Sequence, residues 1–374
     1  MIGRSFRVAS IFGIPIKVDV SWVVILFLLT ATFAVNFSRE HPSLGWPTWL
    51  SMGFALAGLL FGSVLAHELS HALIALREGI SIRGITLFIF GGAAEMVDEP
   101  PHARAELKVA IAGPVMSIAL AIGFGGLYSI GLGWFPPAVL GVVGHLAFMN
   151  GVLAAFNLVP GFPLDGGRVL RAVLWGIWGD LRFATRTASA LGSGFGVLII
   201  LLGLVYILGY ENLIGGVWYL FIGLFLRSAA RASYQQILLR DLLKGVKAGD
   251  VMSREVVAVS PEATLAEIVD GVVLPTGLAN LPVVEGTRLV GHLGLAEIRS
   301  VDRSRWGAVR AREVMRIDDL PPAVSIEDDA TRLLSLAARD DVLIPVLDGD
   351  RFVGVVTRPD LMRRIKLMME LPRS

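Results

Sequence analysis

Long apolar runs alternate with short stretches where Lys, Arg and Pro gather, and this rhythm lasts only to about Leu226. A helix needs about 20 mostly apolar residues to cross a bilayer. Runs of that kind lie at Val18–Phe37, Trp49–Leu76, Val109–Phe135, Pro137–Val159, Leu191–Tyr210 and, shorter, Leu213–Leu226. The pattern predicts a polytopic α-helical membrane domain of about six spans. Between the second and third runs, Ile80–Met96 reads "ISIRGITLFIFGGAAEM". It alternates imperfectly, is rich in Ile, Phe and Thr, and carries Gly91-Gly92 where a hairpin could turn or bulge. It is expected to be a small re-entrant β segment. From Arg227 onward, charged residues recur every few positions, so a domain boundary is expected there.

Composition supports the membrane reading. Of the 374 residues, 54% are hydrophobic and 17% charged, where a soluble domain is about a quarter charged. Mean hydropathy is +0.68. A net charge of +1 gives no global field for nucleic acid. The absence of cysteine excludes disulfides and thiolate metal sites, leaving His, Asp and Glu as ligands. The N-terminus has no clean apolar run with a small-residue cleavage site, so no cleaved signal peptide is expected. Arg and Lys fall on one side of the six spans, in 1–17, 77–108, 160–190 and after 226; the opposite loops hold only Arg39. The positive-inside bias makes that side the cytoplasm. The expected protein is multi-pass in the cell membrane, with both termini and the charged C-terminal part cytoplasmic.

The second run contains "LAHELSHALIAL" (Leu65–Leu76). His67 and His71 are four residues apart, which stacks them on one helix face, with Glu68 beside them. H-E-x-x-H is a zinc-hydrolase pattern: two imidazole ligands and a glutamate as general base for a metal-bound water. Two packed, hydrogen-bonded histidines are the plainer reading. Ionisable residues inside a span are rare and usually functional, which favours the metal. A third ligand must come from elsewhere. His145 stands alone in "GVVGHLAFMN" and reads as a packed histidine. Asp165 lies in "FNLVPGFPLDGGRVLR", where Pro160 and Pro163 end a helix and Gly166-Gly167 allow a tight turn that aims a side chain inward. Asp165 could instead cap the next helix. That alternative leaves Asn157 unexplained, at the membrane side of a broken segment that must line a cavity or be buried.

"HELSH" and "NLVPGFPLDG", in this order, resemble the site-2 protease family of intramembrane metalloproteases, over roughly Val18 to Leu226. The resemblance implies Zn²⁺ held by His67, His71 and Asp165, and Glu68 as the base that activates water. It implies that Asn157 helps hold substrate or the developing oxyanion. It also implies a membrane-spanning protein substrate, such as a membrane-tethered transcription factor or an anti-sigma factor, cut by regulated intramembrane proteolysis. "AGP" (Ala112–Pro114) puts small residues and a kink in the third run, as close helix packing near the site would need. A strand in the segment 80–96 would let an exposed sheet edge hold the substrate extended.

The C-terminal part repeats itself. "LPVVEGTRLVGHLGLAEI" (Leu281–Ile298) aligns with "IPVLDGDRFVGVVTRPDL" (Ile344–Leu361) at an offset of 63, and Val251-Met252 recurs as Val314-Met315. The pair resembles tandem CBS domains, an α/β module that often binds adenine nucleotides. The family's signature is present in the second copy as Gly354, Val355, Val356, Thr357 and Asp360. In the first copy Gly294 replaces the hydroxyl residue and Glu297 the aspartate, so one site for ATP or AMP is expected, at Gly354, Thr357 and Asp360. A mere docking or dimerisation platform stays open, and CBS pairs often form homodimers. The expected domains are 1–226 (membrane protease), 227–246 (linker), 247–308 (first CBS repeat) and 309–370 (second CBS repeat). The main alternative is a CBS-regulated transporter or channel using intramembrane His and Asp for ions; Glu68 between two stacked histidines argues against it.

Overall fold

Asp19 starts the first membrane helix. Its carboxylate accepts the Ser21 backbone N–H at 2.9 Å and caps α1 (Val20–Glu40), while the residues before it form strands β1 (Ser5–Ile11) and β2 (Ile14–Asp19). The computed structural model describes residues 5–89, 91–96, 99–210, 213–317, 322–336 and 343–370. It divides into two compact units, Met1–Gln235 and Gln236–Ser374.

In the first unit, α2 (Trp46–Arg77) follows α1, then β3 (Ile82–Phe88), β4 (Gly91–Met96), α3 (Ala103–Gly131), α4 (Pro137–Asn157), α5 (Asp165–Trp178), α6 (Leu181–Gly209) and the start of α7 (Leu213–Leu243), whose last residues belong to the second unit. Among the described residues five helices are long and apolar enough to cross a membrane: α1, α2, α3, α4 and α6. The sixth expected run, 213–226, opens α7, and the segment expected as a linker continues that helix to Leu243. Large apolar side chains such as Phe27, Ile122 and Leu208 face outward, while Phe33, Phe37, Leu56 and Leu146 close the interior between α1, α2 and α4.

Lipid tails are as apolar as Leu, so helices in a membrane associate through close packing rather than through exclusion of water. Glycine makes that approach possible here. A Cβ on Gly53 would lie 2.5 Å from the Thr30 carbonyl oxygen of α1. Gly196 and Gly203 of α6 face Gly223 and Gly216 of α7, each within 3 Å of the other's carbonyl once a Cβ is added. Seven residues separate the glycines on each helix, so two helical turns share one seam.

The four strands form one sheet in the order β1-β2-β3-β4. β1 and β2 join antiparallel through Phe12-Gly13, both with positive φ, as a two-residue hairpin requires. β2 pairs parallel with β3, Ile16 opposite Ile85, and β3 pairs antiparallel with β4. The hairpin expected in 80–96 is therefore present, with Gly91-Gly92 opening β4 rather than forming the turn; Phe90 lies outside the described residues. The N-terminal pair β1–β2 is an addition to the expected fold, and it delays α1 from Val18 to Val20. Ile14, Ile16, Ile85 and Leu87 pack the sheet on Ala72 of α2, beside the histidines.

In the second unit, β5 (Asn280–Glu285) and β6 (Arg288–Gly294) form one hairpin; β7 (Val324–Ser325), β8 (Ile344–Asp348) and β9 (Arg351–Val356) form a three-stranded sheet. The repeat is physical as well as textual. Two cores form, and each borrows the leading segment of the other copy. Val246, Ala248 and Val251 pack with Ile344, Val346 and Leu361, while Val309 and Ala311 pack with Leu281, Val283 and Leu293. Ser253 bridges Val355 and Arg316 bridges His292, the same link 63 residues apart. Gly354 and Gly291 allow the crossing: a Cβ on them would lie 2.8 Å from Met252 Sδ and 2.7 Å from Met315 Sδ. Overpacking of this kind costs about 1–3 kcal/mol. Gly291→Val is therefore expected to lower stability by that amount in chemical denaturation of the purified chain, with an unchanged midpoint contradicting the exchange.

Candidate metal centre and active site

The centre is built from the buried face of α2. His67 and His71 are 3% and 4% exposed, and their rings meet edge to face with centroids 4.9 Å apart. Each ring is anchored from α3 through its Nδ1. His71 Nδ1 lies 2.6 Å from the Val109 carbonyl oxygen, which can only accept, so Nδ1 carries the proton and Nε2 keeps a lone pair. His67 Nδ1 lies 2.8 Å from Ser117 Oγ. Both Nε2 atoms turn to one point, 3.2 Å apart.

Asp165 arrives at that point from α5. Its Oδ2 is 3.0 Å from His67 Nε2 and 3.1 Å from His71 Nε2. It is the first residue of α5, whose N-cap is Leu164 with no side-chain cap bond, so the capping alternative does not hold. Gly166 and Gly167 contribute differently from the expected turn. They are helical, and a Cβ on them would lie 2.4 Å from the Leu158 carbonyl and 2.3 Å from the Gly161 carbonyl carbon. Gly192 of α6 completes the fit, with no room for a Cβ beside the Phe162 carbonyl oxygen, and the Phe162 N–H donates to the Ala188 carbonyl at 3.1 Å. The 158–164 loop is thus clamped between α5 and α6, and Asp165 points at the histidines.

The donor set fits zinc. A lone pair on His71 Nε2 facing a carboxylate oxygen repels it unless a positive charge lies between them. The ligand atoms of His67, His71 and Asp165 all lie within 4.8 Å of one another, and the separations of 3.0–3.2 Å approach the roughly 3.3 Å between ligands on a tetrahedral zinc. α3 leaves the volume open: a Cβ on Gly113 would fall 2.2 Å from His71 Nε2 and 2.4 Å from His67 Nε2. The expected close packing at "AGP" is therefore packing against the imidazoles themselves.

Glu68 is half-buried against β4. A Cβ on Gly92 would come 2.6 Å from its Cγ, so the carboxylate lies against the β4 backbone. Asn157 is the half-buried last residue of α4, at the start of the loop that ends in Asp165. His145 packs as expected, its Nδ1 2.8 Å from the Gly141 carbonyl. Sequence reasoning passed over three features. Ser117 and the Val109 carbonyl orient the imidazoles, and neither carries a local signal. Glu106 is fully buried and pairs with Arg171, whose Nε donates to it at 2.6 Å, tying α3 to α5 behind Asp165. Arg171 counted only among the basic loop residues in the sequence, and nothing there singled out Glu106.

In the C-terminal unit, Thr357 Oγ1 donates to Asp360 Oδ2 at 2.6 Å, and Asp360 lines a cavity of about 220 Å³. Gly354 makes the strand crossing described above, as Gly291 does in the other copy.

Removing a partner that orients a metal-bound histidine costs about 10–100-fold in affinity. Ser117→Ala is expected to weaken zinc retention by about tenfold in chelator competition, and Gly113→Val to abolish it. Wild-type retention in Gly113→Val would contradict this placement of the centre.

The chain matches Peptidase family M50 over residues 55–133 and 136–202, and the CBS domain over 248–303 and 311–367. A protein of Synechocystis named as a zinc metalloprotease is 32% identical over 369 residues, 97% of this chain and 96% of its own. The zinc metalloprotease named Rip3 of Mycobacterium tuberculosis is 34% identical over 358 residues, 93% of this chain and 90% of its own. The solved site-2 protease from Methanocaldococcus jannaschii is 29% identical, with a TM-score of 0.44 over 62% of this chain and 95% of that one. A membrane-helix unit with the H-E-x-x-H and D-G motifs, followed by a CBS pair, thus places the chain in peptidase family M50, the site-2 protease family of zinc metalloproteases.

Proposed function

We propose that this M50 protease hydrolyses peptide bonds of membrane-spanning protein substrates, with His67, His71 and Asp165 as the zinc ligands and Glu68 as the base. The observation that carries the reading is the convergence of two imidazole Nε2 atoms and one carboxylate oxygen from separate helices. These three side chains would hold zinc, which when bound would supply a coordinated water of pKa around 7 and a Lewis acid for the scissile carbonyl. Glu68, packed against Gly92 of β4, takes the water's proton and returns it to the leaving amine. The Asn157 side-chain amide donates to the substrate carbonyl as negative charge develops on it.

A helical substrate hides its amides, so it must be drawn out before cutting. β4 ends the sheet, beside Glu68, and its outer edge can take an added strand. Water comes from the cytoplasmic side: His71 is six residues from Arg77, the end of α2, or roughly 9 Å along the helix. The Lys and Arg bias puts both termini and the CBS pair on that side, in the cell membrane. The substrate class is a membrane-tethered transcription factor or an anti-sigma factor, processed by regulated intramembrane proteolysis. The CBS pair binds ATP or AMP at Thr357 and Asp360 and regulates the protease, in a homodimer formed through that pair.

Glu68→Gln is expected to lower cleavage of a membrane-spanning test substrate by at least about 100-fold while zinc stays bound. His67→Ala should lose the metal itself, measured by elemental analysis. Cleavage retained by Glu68→Gln would exclude the proposed base. AMP or ATP should raise the melting temperature of the full chain in detergent, and Asp360→Ala should abolish the rise. Flat melts for both nucleotides would leave the CBS pair without a ligand role.

A further inference from the structure

Arg168 stands beside the metal centre with most of its hydrogen-bonding capacity unused. It follows Asp165 by three positions on α5, so the two share one face of the helix. Arg168 is half-buried, and its charged neighbours are Glu106, Asp165, Arg171 and Glu68. Glu106 belongs to Arg171, whose Nε and Nη2 both meet Glu106 Oε1. Arg168 does not close on the other oxygen, because Glu106 Oε2 is buried without a partner. Asp165 and Glu68 are committed to the metal and its water in the reading above. The two guanidinium groups therefore share one carboxylate, and one positive charge is left over. Among the described residues, Arg168 makes a single hydrogen bond, from Nη2 to Met96 Sδ at 3.8 Å. A thioether is a weak acceptor, and a guanidinium carries five N–H donors.

Met96 is the last residue of β4, and Gly92 of the same strand lies against Glu68. Four residues separate them, so both positions look to one face of the sheet, about 13 Å apart along the strand. β4 is also the last strand of its sheet. A chain added along its edge runs past Glu68 and Arg168 in turn. Main-chain bonds would hold such a chain whatever its sequence, and the pockets beside alternate side chains would read it. Beside Met96, what reads it is a guanidinium with free donors and an uncompensated charge. The group that matches it is a carboxylate, which can accept two parallel N–H bonds.

We propose that Arg168 is a specificity residue, binding an acidic side chain of the substrate strand within about four residues of the scissile bond. This rests on the protease and strand-addition reading above. It adds a sequence preference to a site whose main-chain contacts have none, and it gives a role to a charge that neither the metal centre nor the Glu106–Arg171 pair uses.

The test uses the full-length, zinc-loaded protein in detergent and a membrane-spanning test substrate with a mapped cut site. Asp is placed at each of the four positions on either side of the cut, and each substrate is compared with its Asn counterpart. At one position Asp is expected to raise kcat/KM about tenfold or more over Asn. Arg168→Gln should abolish that preference with the zinc content unchanged, and Arg168→Lys should keep part of it. A residue that only braced the fold would lower the rates on Asp and Asn substrates alike. Equal cleavage of the Asp and Asn substrates at every position by the wild type would overturn the proposal and leave the protease reading standing. A preference that survives Arg168→Gln would assign it to another group and also overturn the proposal. No cleavage of any substrate by the wild type would remove the protease reading and this inference together.

Discussion

Two imidazoles and a carboxylate gathered inside a bundle of apolar helices impose the main constraint on this protein. Burying such groups is costly unless each is paired, and a membrane interior offers no water to pair them. The surroundings of His67, His71 and Asp165 meet that cost. The Val109 carbonyl and Ser117 hold the Nδ1 atoms, and the three remaining donor atoms share one point. The H-E-x-x-H pattern supplies the rings, but α3 and α5 decide where they point.

That constraint runs outward into the fold. α3 must come so close that position 113 holds glycine. The 158–164 loop must lie flat between α5 and α6, and Gly161, Gly166, Gly167 and Gly192 leave space for backbone where any side chain would sit. The buried Glu106–Arg171 pair joins α3 to α5 just behind the carboxylate. The sheet packs on the same part of α2 and brings β4 to Glu68. Catalytic geometry and helix packing are, in this unit, one problem solved with small residues.

The sequence was most legible where the signal was local. Five of the apolar runs became helices of spanning length, and the i, i+4 histidines fell on one buried face. The repeat at 63 residues survived as two matched cores. Partners distant in the chain were hidden. β2 pairs with β3 about 70 residues away, and nothing in "IPIKVD" announces a parallel neighbour. Ser117 is 50 residues from His67, and its hydroxyl looked like one more small polar group in a span. Gly166-Gly167 were visible, but their reason was not: the sequence suggested backbone freedom, and the structure shows lack of space. Gly354 is similar, because its crossing with Met252 depends on the exchange of leading segments between the copies.

The central claim is that His67, His71 and Asp165 together hold one zinc ion. X-ray absorption at the zinc edge of the purified protein tests it most directly. The account predicts a light-atom shell of nitrogen and oxygen at about 2.0–2.2 Å with two imidazole signatures, and the loss of one oxygen in Asp165→Ala. A zinc shell with fewer than two imidazoles, or one identical in the wild type and Asp165→Ala, would contradict it.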